Sequence, residues 1–459
     1  MLEIQNKKIA VIGLSRTGVA AAKMLSKWGA DVIISDKKKY NELMTEIELL
    51  RDIEVEYELG IHGEKSLNSD LIVVSPGVPL NLPFFVKARE KGIPIISEIE
   101  LAYHFTEAKI IAITGTNGKT TTTSLVGDIL RKAGIGRVKV AGNIGVPLIS
   151  EVSGLTKQDW LVVEISSFQL ETICDFRPDI SLYLNFTPDH LDRHKTVENY
   201  WLAKKRIFMN QREGDYALVN YDDQEVMKAV ADFCGEIYSV STKGSVDKGI
   251  FLKENQLFIS DSNNLIKLMD TADIKLKGLH NIQNISFAAL ACYLAGVQQK
   301  VIREAVLDFK PAQHRLEEVC LLANNILVLD DSKATNPDSA LKGIEAVERP
   351  IVLIAGGQDR NADFSQWAEG LQNRVKTLIL IGETSNKMKE EALNHGFSNI
   401  NIHIVETMEK AVSIAINNLV SGDCLLLSPA CPSWDMYSSY IERGEEYQKF
   451  VKSSSLSRG

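Results

Sequence analysis

The residues best equipped for chemistry lie in AITGTNGKTTTTS, residues 112–124. A short apolar run leads into Gly115, Thr116, Asn117 and Gly118, followed by Lys119 and four threonines. The two glycines let a backbone turn tightly and aim its N–H groups at an anion. A helix opening there adds its positive N-terminus. Lys119 can reach the β- and γ-phosphates of a nucleotide, and the Thr120 hydroxyl can ligate Mg²⁺. The usual spacing puts a further glycine at position 113, where Ile113 stands, so the loop is a shortened variant. Branched threonines are poor helix formers. At a helix start, however, hydroxyls can serve unpaired N–H groups or a metal, which suits Thr120 and Thr121. Thr122 and Thr123 need no role beyond capping and packing.

A metal held on phosphates calls for a carboxylate at the end of a neighbouring strand. Glu164, in LVVEISSFQ, ends an apolar run where an unpaired acid is costly. The alternative is a salt-bridged strand-end acid. His190, in NFTPDHLDRH, follows another apolar run and sits among Asp189, Asp192 and His194. That places it to ligate metal or contact substrate at a strand's carboxyl edge; a lone histidine is more often structural. Lys204 lies in TVENYWLAKKRIFMN, with Tyr200 at i−4 and Phe208 at i+4 on one helix face. Burial beside aromatics would lower its pKa. The bland alternative is a snorkelling lysine.

These residues need strands to carry them, and the chain supplies them in three blocks. In the first, KKIAVIG, ADVIISD and DLIVVSPG (70–77) read as strands, with the helix SRTGVAAAKMLSKWG between the first two. Strands alternating with helices predict a parallel sheet. GLSRTG (13–18) with Asp36 weakly suggests a dinucleotide, being GxSxxG rather than GxGxxG. In the second block KIIAIT, WLVVEIS, DISLYLNF and DYALVN read as strands. Short alternating segments near 236–276 predict an antiparallel patch, and GLHNIQNISFAALACYLAG (278–296) predicts a helix. In the third block NNILVLDD, RPIVLIAGG, VKTLILIG, NINIHIVE and DCLLLSPA predict five strands of a second doubly wound domain. Pro311 and its polar neighbours suggest a hinge.

The 459 residues suggest about three domains, each able to bury its own core. With 45% hydrophobic and 24% charged residues the chain reads as globular. A net charge of −9 argues against broad nucleic-acid binding. MLEIQNKKIAVIG enters a strand directly and has no signal-peptide pattern. No apolar run reaches the roughly 18 residues of a membrane span. Six cysteines without CxxC spacing read as reduced thiols in a cytoplasmic protein.

GTNGKTTTT, VVEISSFQLE, NFTPDHLDRH, LHNIQN, HRLE and DDSKATN stand in the order used by the Mur ligases. Over essentially its whole length the chain resembles that family, the ATP-dependent amide ligases of bacterial cell-wall synthesis. AGNIGVPL (141–148), DDSKATN (330–336), GGQDRNADF (356–364) and SPACPSWDMYSSYIERG (428–444) fit D-glutamate as the added residue. DSKATN stands where lysine- or diaminopimelate-adding members are expected to carry an arginine-containing motif.

The resemblance implies an α/β chain of three domains. Residues 1–98 would be a Rossmann-like domain for the UDP-substrate. Residues 99–311 would be a P-loop ATPase-like domain with a parallel sheet and a small antiparallel patch. Residues 312–459 would be a Rossmann-like amino-acid-binding domain. ATP would lie on Gly115, Thr116, Asn117, Gly118, Lys119, Thr120 and Thr121, with Asn281, Asn284, His314, Arg315 and Asp331 around adenine and ribose. Two Mg²⁺ sites would draw on Thr120, Glu164, His190 and Lys204, the last carbamylated into an anion. Lys119, Glu164, His190 and Lys204 would form the catalytic set. UDP-N-acetylmuramoyl-L-alanine would meet Ser15, Arg16, Thr17, Asp36, Lys37, Ser75, Pro76, Gly77, Asn143, Ser166 and His190. D-Glutamate would meet Lys333, Thr335, Arg360, Ser433 and Tyr440. The implied protein is a cytoplasmic monomer with small-molecule substrates and neither nucleic-acid nor membrane partners. Two departures stand out. Arg360 replaces an expected lysine, a planar fork in place of a point donor, and Trp434 and Tyr440 are bulkier or more polar than expected.

Overall fold

The computed structural model describes residues 2–454 apart from Ile144, Ser262, Asn263, Lys277, Pro311 and Ala312, and apart from the side chains of Asp192 and Ala323. The hinge expected at Pro311 lies outside the described residues. The chain forms two compact units: residues 1–186, 195–274 and 283–309 in the first, and 187–194, 275–282 and 310–459 in the second.

The first unit contains two sheets. One has five parallel strands: β1 (Lys8–Ile12), β2 (Asp31–Asp36), β3 (Glu56–Leu59), β4 (Leu71–Val74) and β5 (Ile95–Ser97), in the order β3-β2-β1-β4-β5. Residues 9–12 and 71–74 are buried throughout, as expected for strands covered on both faces. Strand order reverses at β1, and such a reversal leaves a crevice beyond the carboxyl ends.

The other sheet has nine strands: β6 (Lys109–Thr114), β7 (Val138–Gly142), β8 (Trp160–Glu164), β9 (Ile180–Tyr183), β10 (Tyr216–Asn220), β11 (Glu236–Ser241), β12 (Lys248–Lys253), β13 (Gln256–Asp261) and β14 (Asn264–Asp270). Their order is β14-β13-β12-β11-β10-β9-β6-β8-β7. The antiparallel patch is smaller than the sequence suggested, because β11 pairs parallel with both β10 and β12. Gly249 allows the second pairing: a Cβ there would meet the Ser239 carbonyl at 1.8 Å. Antiparallel pairing begins at the β12–β13 hairpin, whose turn residues Glu254 and Asn255 both have positive φ, the form that matches strand twist. One apolar core joins the two sheets: Ile9, Val11 and Ile34 share a cluster with Ile99, Leu101, Leu161, Val163 and Phe176. The helix Leu279–Leu294 is buried on every side from Ile285 to Cys292, where Ser286 is the one polar residue, so its burial exceeds that of an amphipathic surface helix.

The second unit holds a six-stranded sheet: β15 (Glu317–Leu322), β16 (Ile326–Asp330), β17 (Ile351–Ala355), β18 (Val375–Leu380), β19 (Ile402–Ile404) and β20 (Cys424–Leu427). The order is β15-β16-β20-β17-β18-β19, parallel except for β15. Separate apolar clusters cover its two faces, one around Phe364 and Trp367, the other around Met408 and Tyr447. No described helix is long and apolar enough to cross a membrane.

Candidate active site

Three neighbouring strands build the phosphate loop. β6 runs into residues 115–118, and its neighbours β8 and β9 end at Glu164 and just before Asn185. Gly118 precedes the helix Lys119–Ala133 with φ +82°, and a Cβ there would strike Asn284 Oδ1 at 2.2 Å. The left-handed φ favours glycine at this turn. Asn185 clamps the loop: its Oδ1 accepts from the Asn117 N–H at 2.8 Å, its Nδ2 donates to the Asn117 carbonyl at 3.1 Å, and its carbonyl accepts from the Thr116 N–H. The sequence reading assigned Asn185 nothing; a side-chain amide directly after an apolar strand was the available signal.

Lys119 Nζ donates to the carbonyls of Gly115 (2.8 Å) and Thr116 (2.7 Å). Lys204 Nζ donates to the same Gly115 carbonyl at 2.7 Å and sits 4.8 Å from the Tyr200 ring centroid. The lysine is 1% exposed, so its whole side chain is buried and it does not snorkel. The Tyr200 hydroxyl lies 3.2 Å from Thr116 Oγ1.

Glu164 Oε1 accepts from Asn143 Nδ2 at 2.9 Å, which joins the β7 and β8 loops. Glu164 Oε2 is buried with no hydrogen-bond partner among the described residues, as are the Thr121, Thr122 and Thr123 hydroxyls. None of these threonines caps the helix. A lone carboxylate oxygen at the strand end beside a loop of backbone N–H groups is a hard oxygen ligand, the kind that fits Mg²⁺ on phosphates. Ser166 caps the short helix Ser167–Leu170 by accepting from the Gln169 N–H, so its hydroxyl has a local structural task.

At the crevice of the five-stranded sheet, three loops meet. Asp36 Oδ2 accepts from the Leu14 N–H (2.7 Å) and Oδ1 from the Lys38 N–H (2.9 Å), so this carboxylate orders the turns themselves. Ser75 Oγ donates to the Gly13 carbonyl. Gly18 is obligatory, since a Cβ there would meet the Gly13 carbonyl at 2.1 Å. Ser15 precedes the helix Arg16–Lys27 without a side-chain capping bond; Arg16 and Thr17 open that helix, and Lys37, Pro76 and Gly77 stand on the other two loops.

Between these regions lies Glu98, whose importance the sequence reading missed. It is 1% exposed; Oε1 accepts from the Ile149 N–H at 2.6 Å, while Oε2 has no hydrogen-bond partner among the described residues. Burial pushes its carboxyl up to about 7 against the opposing effects of that N–H and of Arg16. Two positions on, Glu100 accepts from the N–H groups of Cys174, Asp175 and Phe176.

His190 belongs to the second unit and has φ +55°; its N–H donates to Asp189 Oδ1. Asn281 belongs there too, whereas Asn284 is in the first unit. In the second unit His314 Nδ1 contacts Asp330 Oδ2 at 2.7 Å, a bond that raises the imidazole pKa. Asp331 accepts from Ser428 Oγ and the Leu316 N–H; burial pushes its carboxyl up to about 7, opposed by Arg315. Arg315 Nε is buried without a partner among the described residues.

Lys333, Arg360 and Ser433 stand on the loops that leave β16, β17 and β20, adjacent strands at one carboxyl edge; Thr335 shares the first loop, and Tyr440 opens the helix Tyr440–Ser453 that ends the last. Arg443, buried at 1% exposure, ties two of these loops by donating to the Ser332 and Cys431 carbonyls. Among the described residues two groups have three His, Cys, Asp or Glu ligands within reach of one another, Glu100–His104–Asp175 and His314–Glu317–Asp330, and neither includes Glu164.

Comparison with known proteins gives these loops a context. Residues 7–97 match the Mur ligase MurD-like N-terminal domain, 113–292 the Mur ligase middle domain and 314–431 the Mur ligase glutamate ligase domain. The chain is 44% identical to the UDP-N-acetylmuramoylalanine--D-glutamate ligase of Clostridioides difficile (strain 630), over 98% of this chain and 99% of that one. It is 42% identical to the enzyme of the same name from Thermoanaerobacter sp. (strain X514), with the same coverage. Among solved structures, the UDP-N-acetylmuramate-alanine ligase of Thermotoga maritima shares the fold with a TM-score of 0.60 at 18% identity, covering 97% of this chain and 99% of that one. With three successive domain matches and relatives this similar over nearly their full length, the chain belongs to the Mur ligase family.

Proposed function

We propose that this chain joins D-glutamate to UDP-N-acetylmuramoyl-L-alanine at the expense of ATP, through an acyl phosphate, in cytoplasmic peptidoglycan precursor synthesis. The observation that carries this reading is the phosphate loop with Lys119 at its mouth and a partnerless Glu164 oxygen beside it, in a chain alike over its length to D-glutamate ligases. The alanyl carboxylate attacks the γ-phosphate and ADP leaves, giving the acyl phosphate; the D-glutamate amine then attacks its carbonyl, gives up a proton, and phosphate leaves. Two anions must meet in the first step, so electrostatic stabilisation is the main task. Lys119 and the helix N-terminus at Gly118 supply fixed positive charge, and Asn185 holds the loop N–H groups in place.

Thr120 and Glu164 would hold one Mg²⁺, and His190 with a carbamylated Lys204 a second; bound Mg²⁺ neutralises phosphate charge. A carbamate retains one N–H, enough for the bond to Gly115, while it replaces repulsion of a metal by attraction. Asn281, Asn284, His314, Arg315 and Asp331 would receive the nucleoside. The loops at 13–17, 36–37 and 75–77 would take the UDP portion, and Asn143 the muramoyl-alanine portion. Lys333, Thr335, Arg360, Ser433 and Tyr440 would take D-glutamate. These jobs divide the chain at 1–98, 99–311 and 312–459, and the enzyme works as a monomer. The test is phosphate release from ATP and UDP-N-acetylmuramoyl-L-alanine with D-glutamate, L-glutamate, lysine or diaminopimelate as acceptor. D-Glutamate alone should support turnover; release with L-glutamate alone would overturn the substrate assignment.

A further inference from the structure

The loops after β17 and β20 are fastened together before either presents a side chain. The Gly356 N–H donates to the Pro429 carbonyl at 2.8 Å and the Gln358 N–H to the Pro432 carbonyl at 2.9 Å. Gly357 leaves no room between them, since a Cβ there would meet the Pro432 carbonyl at 2.3 Å. Arg360 and Trp434 each lie two residues beyond the last of these bonds. Their side chains meet: the guanidinium carbon stands 4.6 Å from the indole centroid. Trp434 is 61% exposed, so its ring fills no core. The neighbouring acid Asp359 is engaged by Lys387 Nζ at 3.2 Å. On the adjacent loop the arrangement repeats, with Lys333 Nζ 5.5 Å from the Tyr440 centroid.

From this juxtaposition we infer that Trp434 is a positioning residue for the acceptor amino acid: its indole seats the Arg360 guanidinium so that the guanidinium edge meets an acceptor carboxylate. The inference rests on the reading of Arg360 as part of the acceptor site. A long arginine side chain loses rotamer freedom when it binds. An aromatic face restricts that freedom beforehand and leaves the donors at the planar edge available. Lysine, a point donor, gains less from such a platform. Arginine at 360 and tryptophan at 434 thus form one device, which accounts for these two departures together.

The test is steady-state kinetics on four proteins: parent, Trp434→Leu, Arg360→Ala and the double variant, with Trp434→Phe as an aromatic control. Trp434→Leu should raise the KM for D-glutamate about two- to fivefold, the range for an exposed cation–π contact. The KM values for ATP and the UDP-substrate, and kcat, should stay as in the parent. Trp434→Phe should restore the parent KM. In the Arg360→Ala background the Trp434→Leu change should vanish. An unchanged KM in Trp434→Leu, or an equal change in both backgrounds, overturns the proposal. The stack is also read without any acceptor, as a shift in the Trp434 contribution to fluorescence when Arg360 becomes alanine. A shift in emission, with the KM for D-glutamate unaltered in Arg360→Ala, overturns the acceptor reading of Arg360 while leaving the contact standing. No shift overturns the contact itself.

Discussion

Lys119 and Lys204 approach one carbonyl oxygen from two different helices, although the chain separates them by 85 positions. The spacing around Lys119 made its role legible, because a Gly-Lys-Thr turn is local. Lys204 was legible only as a lysine between two aromatics; its burial and its bond to Gly115 come from the packing of distant segments. If Lys204 acts as an anionic carbamate, Lys204→Ala should lower turnover by about a hundredfold, the scale of losing one electrostatic stabiliser. Short carboxylic acids should restore part of it by supplying the missing carboxylate. Assays across a series of such acids check this, and a folded variant that none of them rescues would exclude the carbamate.

At the scale of elements, the short helix Glu98–Tyr103 carries two acids that bind backbone N–H groups of other loops, Glu98 at Ile149 and Glu100 at 174–176. The first of those loops also carries Asn143. Because burial raises the Glu98 carboxyl to about 7, the folded chain holds that proton to a higher pH than the unfolded chain does. The contribution of Glu98 to stability therefore falls as pH rises from about 4.5 to 7. Glu98→Gln keeps an acceptor for Ile149 and removes the titration. The stability of the variant relative to the parent should increase between pH 5 and pH 8, by up to about 3 kcal/mol. Denaturant melts of both proteins at the two pH values test this, and a difference independent of pH would refute it.

The strands themselves were mostly legible, because buried parallel strands read as continuous apolar runs. β15 was missed. Its pattern, EEVCLL, is half-exposed, and the signal lay in the turn: Asn324 and Asn325 both adopt positive φ, which asparagine tolerates in a tight hairpin. The extent of the antiparallel patch was misread because alternation marks a half-buried strand and says nothing of its direction. The device at Arg360 and Trp434 was visible only as two oddities, since contacts between loops carry no sequence spacing.

For the whole molecule, the proposed division of labour predicts that Lys119→Ala separates two functions. ATP-dependent phosphate release should fall at least a hundredfold or so. Calorimetric titration should find UDP-N-acetylmuramoyl-L-alanine bound as in the parent. A folded variant that loses both would show that the phosphate loop and the UDP-substrate site are not separable.

The second unit is assembled from three pieces of chain. Residues 187–194 and 275–282 join it although both precede Pro311. Asn336 reaches Asp189 Oδ2 at 3.2 Å, and a Cβ on Gly278 would lie 3.1 Å from Ala346. A genetic cut at 311, where the sequence invites one, would therefore yield a C-terminal fragment stripped of two of its own parts. It would also yield an N-terminal fragment with two strips of surface made for something absent. For anyone recombining domains between relatives, the unit of exchange is the set of three segments, and a crossover at 311 alone would break it.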